Sequence, residues 1–188
     1  YTYIIYTKMD KLILDGEGYS FSGEDMKELT ENKYNIYRYH ELEKFDNIDQ
    51  VLGDNLGAII LYQSTMNSGH WVSLWRNGDT IYFFDSYGFH VDQELKYSEF
   101  HMRRHKGVKV PHLSHLIDVS GYKVISSPYK LQKMRDKTNT CGRYAGLAIK
   151  LRHMSFKDFS DLFMSNRHYN PDFWVTMATG HYNSWNDL

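Results

Sequence analysis

Cysteine is almost absent from this 188-residue sequence, which contains a single one, Cys141. One thiol excludes an internal disulfide and any metal site built on several thiolates, and it fits a reducing compartment. Taken alone, a lone cysteine is more often a small buried hydrophobe than a reactive group. The residues around Cys141 therefore have to decide between a structural and a chemical role.

Proline and long apolar runs are also scarce. The chain has three prolines and no apolar run of the roughly 18–20 residues that a membrane-spanning helix needs. Residues 1–6 are too short and too polar-flanked for the apolar region of a secretory signal. Aromatic residues make up 16% of the sequence, more than disordered chains carry. We therefore expect one compact domain over residues 1–188, with no membrane segment and not secreted.

Positive charge is concentrated in one part of the chain, although the net charge is only −1. Residues 96–152 contain thirteen Lys and Arg residues against three acids, Glu99, Asp118 and Asp136. Such asymmetry can mark a surface that binds polyanions such as DNA. The alternative interpretation, an ordinary solvated surface, is slightly favoured over a DNA contact through residues 96–152.

Apolar periodicity and capping signals divide the chain into short strands and helices. Strands are predicted at residues 2–6, 34–39, 56–62, 70–76, 80–85 and 122–125. Helices are predicted at residues 22–31, 41–52, 141–153 and 155–164, and from residue 170 onward. Residues 86–121 show few clear periods and suggest a short helix with a long loop.

A hairpin is the most informative local prediction. Asn77-Gly78 is a strong signal for a two-residue turn, and centring the turn there pairs positions that sum to 155. His70 then lies directly opposite Asp85, with Cβ atoms about 5 Å apart. Both faces of the hairpin are largely apolar, one carrying Val72, Leu74, Ile81 and Phe83 and the other Trp71, Trp75, Tyr82 and Phe84. A sheet covered by helices on both sides accommodates such a hairpin, which predicts an α+β fold.

The segment around Cys141 carries the chemistry. Cys141 lies where a helix begins, and the positive potential of a helix N-terminus favours a thiolate. Gly142 would let a substrate backbone approach closely. A thiol protease also needs an imidazole, a group that orients it and donors for the oxyanion, which His70, Asp85 and Gln132 could supply. Alone, these three could equally be a structural histidine, a turn residue and a solvated helix residue.

Three segments resemble the adenain-like and Ulp1-like cysteine proteases: NSGHWV at 67–72, FFDSYG at 83–88 and NTCG at 139–142. Those proteases share the order His, Asp or Glu, Gln, Cys, with a Trp directly after the histidine, here Trp71. The similarity spans roughly residues 20–150, includes residues 21–26, and is greatest to the proteases of virophages, polinton-type elements and large DNA viruses. It implies a permuted papain-like fold, a mixed β-sheet flanked by helices with the nucleophile at a helix N-terminus.

The resemblance also implies roles for four residues. His70 becomes the general base and acid, Asp85 the orienting carboxylate and Cys141 the nucleophile, while Gln132 polarises the scissile carbonyl. Gln132 departs from the family pattern, because it lies nine residues before the cysteine rather than six or seven. Adenoviral protease binds an activating peptide through an additional cysteine, which this chain lacks. The resemblance implies no cofactor and no metal, and DNA activation in that family gives residues 96–152 a role.

The implied function is a cysteine endopeptidase that cuts capsid or core precursors during virion maturation, often after Gly-Gly. Its partner would be a polypeptide substrate. The protein itself would be a monomer that acts in the virion or inside the host cell. DeSUMOylases and deubiquitinases use the same triad, so an isopeptidase stays an alternative. A non-catalytic DNA- or protein-binding module on the same scaffold is another.

Overall fold

The computed structural model describes residues 7–64, 68–97, 111–134, 138–165 and 168–180, so the strand predicted at 2–6 lies outside the described residues. The helices are α1 (Lys8–Gly16), α2 (Gly23–Leu29), α3 (Ile48–Leu52), α4 (His112–Val119), α5 (Cys141–Lys150), α6 (Phe156–Met164) and α7 (Pro171–Thr179). The strands are β1 (Asn35–Arg38), β2 (Gly57–Gln63), β3 (Gly69–Asn77), β4 (Thr80–Phe84) and β5 (Lys123–Ser126). Two 3₁₀ helices span Tyr39–Lys44 and Gln93–Tyr97. Within these ranges, no helix is long and apolar enough to cross a bilayer.

The five strands form one mixed sheet in the order β1-β2-β3-β4-β5. The two central pairs, β2 with β3 and β3 with β4, are antiparallel, whereas the edge strands β1 and β5 run parallel to their neighbours. Each parallel edge pair needs a crossover connection, which the α3 segment provides for β1 and β2 and the α4 segment for β4 and β5.

Helix starts follow the capping chemistry of the sequence. Ser22 and Asp25 form the predicted reciprocal capping box of α2, and Ser155 and Asn170 cap α6 and α7. The helix predicted over 41–52 is instead two pieces, because Asn47 caps a new helix at Ile48. The sequence interpretation missed α1, although its own box of Thr7 and Asp10 is a readable signal.

Both faces of the sheet are covered, as the apolar hairpin faces predicted. Trp71, Trp75 and Phe84 pack in one core with residues of α2, α5, α6 and α7. Val72, Leu74, Ile81 and Phe83 pack in a second core with residues of α3 and α4. The predicted α+β architecture, a mixed sheet flanked by helices with Cys141 at a helix N-terminus, is therefore confirmed.

The predicted hairpin register is wrong by two residues. Asn77 pairs with Thr80, so Gly78 and Asp79 form the turn and paired positions sum to 157. Of the two turn residues, only Gly78 has a positive φ, 59°, which is the pattern of a type II′ turn with glycine at its first central position. Asp85 is consequently a diagonal neighbour of His70 rather than its direct partner across the strands.

Candidate active site

His70 is the second residue of β3, and its side chain is buried. Gly69 before it lies so close to β2 that an added Cβ would be 2.5 Å from the carbonyl oxygen of Tyr62. The imidazole stacks on the ring of Tyr87, with 4.5 Å between ring centroids and 14° between planes. The strand end and the stacked ring together hold the histidine in one orientation.

Asp85 contacts this histidine despite the diagonal register. A shift of two residues keeps a side chain on the same face of the sheet, and Nε2 of His70 lies 3.1 Å from Oδ2 of Asp85. The N–H does not point straight at that oxygen, so the contact is a close ion pair rather than a well-aligned hydrogen bond. The other oxygen, Oδ1, accepts the backbone N–H of Tyr87 at 2.7 Å. Asp85 is thus both a turn residue and the partner of the histidine.

Charge decides the protonation of His70. Burial alone would lower the pKa of the imidazole, but the charge of Asp85 and the interactions with Asp85 and the Cys141 thiol raise the pKa of His70 well above its ordinary value. The thiol of Cys141 is thus within interaction distance of the imidazole. Because Nε2 faces Asp85, Nδ1 is the ring nitrogen left for the thiol.

Cys141 is the first residue of α5 and is largely buried. Thr140 stands at the N-cap position, but its hydroxyl donates to Oδ1 of Asp172 at 2.6 Å and does not cap the helix. The first backbone N–H groups of α5 can therefore donate hydrogen bonds to a group near the thiol. Gly142 has a different role from the one expected, because the place of a Cβ is filled by Phe21 and Trp71 rather than left for a substrate.

Gln132 is buried and lies in a loop, so the alternative of a solvated helix residue is wrong. Its Oε1 accepts the hydroxyl of Ser86 at 2.8 Å, and its Nε2 donates to the carbonyl of Thr138 at 3.2 Å. Its backbone N–H also donates to the carbonyl of Ser86. These bonds tie the glutamine to the residue after Asp85 and to the loop that leads into Cys141.

Two residues that hold Gln132 and the loop before Cys141 in place were not predicted from the sequence. Ser86 was visible only as part of a turn, yet its side chain orients the Gln132 amide. Asp172, in the first turn of α7, was not predicted either, yet it is buried and accepts from both Thr140 and the backbone of Lys133. No local signal could have linked residue 172 to the cysteine loop, because the contact depends on how α7 packs.

Glu94 is a third unpredicted residue, and it faces the His70–Asp85 pair. One polar atom from each of these three side chains lies within 4.8 Å of the others. Burial, opposed by the charge of His70 and reinforced by that of Asp85, raises the pKa of Glu94 to about 6. Glu94 is therefore an acid whose charge changes in the mildly acidic range.

A groove of about 380 Å³ opens beside the histidine. Gly69 and Trp71, which flank His70, line one wall, and Phe21 and Ser22 line another. The indole N–H of Trp71 donates to the carbonyl of Phe21 at 2.8 Å, which joins the two walls. The groove is large enough for one or two residues of an extended peptide.

The basic segment 96–152 falls partly outside the described residues, which omit 98–110 and 135–137. Arg143 is fully buried, where its guanidinium donates to Thr179 and to the carbonyl of Gly16, so it cannot contact phosphate. Lys150 pairs with Glu31, and Arg152 donates to the carbonyl of Asn55. A DNA contact through this segment stays a prediction. Among the described residues, fewer Lys and Arg side chains are available to bind phosphate than the sequence suggests.

The fold is similar to that of a solved protease structure. A solved structure of the ASFV pS273R protease matches with a TM-score of 0.50 and 14% identity, covering 88% of this chain and 68% of that one. A de-sumoylating protease matches at a TM-score of 0.41 and 13% identity, covering 91% and 76% of the two chains. No family model matches the sequence.

Sequence comparison identifies a protein family for the chain. "Uncharacterized protein V9" of Sputnik virophage is 35% identical over 167 residues, which cover 87% of this chain and 95% of the relative. The chain therefore belongs to the same protein family as this virophage protein.

Proposed function

We propose that this protein is a cysteine endopeptidase of the adenain-like type, one catalytic domain that cleaves viral capsid or core precursor proteins. The proposed roles are Cys141 as nucleophile, His70 as general base and acid, Asp85 as orienting carboxylate and Gln132 as oxyanion donor. The observation that carries the proposal is the arrangement of His70, whose Nε2 is 3.1 Å from the Asp85 carboxylate while its ring also interacts with the Cys141 thiol.

The first step is proton transfer from the thiol of Cys141 to Nδ1 of His70. The raised pKa of His70 makes the imidazolium a stable acceptor state, because the Asp85 charge compensates it. Stacking on Tyr87 keeps the ring plane fixed while the proton moves. The resulting thiolate lies at the N-terminus of α5, where the helix dipole favours negative charge.

The thiolate then attacks the carbonyl carbon of the scissile peptide, and the carbonyl oxygen becomes an oxyanion. The Nε2 of Gln132 and the first amides of α5 are the donors that would stabilise it. His70 returns its proton to the leaving amine as the C–N bond breaks. Water, deprotonated by the same imidazole, next attacks the thioester carbon and releases the Cys141 sulfur.

The substrate class rests on two further observations. The groove at Gly69 and Trp71 is also lined by residues of α2, β1 and β2, and it has room for a short polypeptide segment. A relative that covers almost the same length is encoded by a virophage, and a neighbour of similar fold is a viral protease. A viral structural precursor is therefore the substrate that we propose.

The deciding experiment compares wild type with Cys141→Ala and Cys141→Ser on a peptide library and on the capsid precursors of the source virus. Wild type should cleave, and both variants should lose cleavage while keeping the wild-type circular dichroism spectrum. Residual cleavage by a folded Cys141→Ala variant would show that Cys141 is not the nucleophile. Reaction with a ubiquitin-like C-terminal probe, but not with precursor peptides, would instead identify an isopeptidase.

A further inference from the structure

Glu94 supplies a second carboxylate to the histidine. Three atoms converge, Nε2 of His70, Oδ2 of Asp85 and a carboxylate oxygen of Glu94, all within 4.8 Å of one another. Each of these side chains has a buried polar atom with no aligned hydrogen bond among the described residues. A buried carboxylate oxygen without an aligned hydrogen bond is costly, so the convergence of two such oxygens on one imidazole indicates an electrostatic role.

The segment that carries Glu94 is firmly held. Asp92, buried just before it, accepts from the hydroxyl of Tyr62 at 2.9 Å and from the backbone N–H of Ser114 at 2.8 Å. The 3₁₀ helix Gln93–Tyr97 begins there, and the backbone of His90 donates to the Gln93 side chain at its start. Glu94 is therefore directed at the site by anchors on β2 and α4, and not by a loose loop.

Three groups face Glu94, and two of them carry charge. His70 on β3 attracts its anion, whereas Asp85 at the end of β4 repels it. Tyr87 faces the same group, and burial together with the charges of Cys141, Glu94, Asp85 and Asp172 raises the pKa of its phenol, so it stays neutral. An ionised Glu94 beside Asp85 is thus stable mainly when His70 carries a positive charge.

We propose that Glu94 is a positioning residue that, once ionised, holds His70 as the imidazolium and so favours the reactive imidazolium–thiolate pair. The proposal rests on the proposed function for its consequence in catalysis, but the effect on His70 itself does not. Below about pH 6, where Glu94 is protonated, the wild type should behave like a Glu94→Gln variant. Above that pH the two should diverge.

The test measures the pH at which His70 loses its proton, by nuclear magnetic resonance, in the full chain with Cys141→Ala and then with Glu94→Gln added. All buffers contain EDTA, and the signal is assigned with His70→Gln. We expect Glu94→Gln to lower the His70 midpoint by at least about one pH unit, as one nearby charge lost should do. An unchanged midpoint would overturn the proposal.

Catalysis provides the second readout. The ratio of kcat/KM between wild type and Glu94→Gln should be close to one at pH 5 and rise on the order of tenfold by pH 7.5. A ratio that is constant with pH would mean a purely structural role and would also overturn the proposal. Asp79→Asn, which removes an exposed charge at the distant hairpin turn, is the matched control and should change neither quantity. If neither wild type nor Glu94→Gln cleaves peptide, the proposed function fails. The resonance measurement then still tests the effect of Glu94 on His70.

Discussion

His70 and Asp85 meet diagonally across a hairpin, with 3.1 Å between Nε2 and Oδ2, although neither is the direct cross-strand partner of the other. The extended register would instead place Tyr87 opposite His70, and the two rings are indeed stacked. One side of the imidazole thus faces a carboxylate while its plane rests on a phenol ring. This geometry fixes the ring without a perfectly aligned hydrogen bond.

The first prediction concerns Asp85→Asn. Removing the charge removes the main influence that raises the pKa of His70, so burial should dominate and the imidazole should become neutral near pH 7. We expect kcat/KM to fall by roughly 10²- to 10⁴-fold, the range for a disabled general base. Peptide cleavage and the resonance titration of His70 check both parts. A His70 titration that stays unchanged would show that Asp85 does not set its charge.

The second prediction concerns Ser86→Ala. Without the hydroxyl, Oε1 of Gln132 loses its 2.8 Å hydrogen bond and the amide can rotate away from the oxyanion. We expect kcat to fall by up to roughly 10²-fold with little change in KM, because the bond acts in the transition state. Gln132→Ala should lower kcat by at least as much. Adding Ser86→Ala to it should then have almost no further effect, and additive losses would mean that Ser86 acts elsewhere.

The sequence predicted the His70–Asp85 contact for a reason that was partly wrong. The turn lies one residue further along than Asn77-Gly78 suggested, which moves the register by two. Because side chains alternate with a period of two, that error left both residues on the same face, and the contact survived as a diagonal one. Helix starts were predictable because Ser22, Ser155 and Asn170 cap them locally.

Other parts of the site depend on contacts between distant segments. The loop that carries Gln132 has no periodicity, and its course is set by hydrogen bonds to Ser86 and Asp172. The spacing of nine residues to Cys141 therefore says little about where the amide lies. Glu94 was equally invisible, since a one-turn 3₁₀ helix in a long aperiodic stretch has no sequence signature.

The third prediction concerns Gly142→Ala. An added Cβ would lie 2.6 Å from Cβ of Phe21 and 3.1 Å from a ring carbon of Trp71. Alanine improves helix propensity by up to about 1 kcal/mol, but overpacking against the root of a side chain costs about 1–3 kcal/mol. We expect a net loss of stability in urea unfolding. Gly146→Ala in the same helix meets the flexible tip of Leu29, so it should be tolerated better. Equal effects would contradict the close packing at residue 142.

The last prediction concerns the stability of the fold. The pKa of Glu94 is raised to about 6 in the folded protein, so the folded state binds more protons than the unfolded one between pH 4.5 and 6. The contribution of Glu94 to stability is therefore complete below about pH 4.5 and lost as the pH rises through 6. After allowing for solvent screening of this partly exposed carboxylate, we expect Glu94→Gln to stabilise the protein by about 1 kcal/mol at pH 8 and by nothing at pH 4.

Urea unfolding of wild type and Glu94→Gln at the two pH values measures this difference, and Asp79→Asn again serves as the charge control. A gain in stability at pH 8 would mean that the protein holds Glu94 ionised beside Asp85 at the expense of its fold. A loss of stability of this kind is expected only where the charge of Glu94 supports the function of His70. If the variant is instead less stable at pH 8, the Glu94 anion is favourable where it lies, and its attraction to His70 outweighs the cost of burial and the repulsion by Asp85.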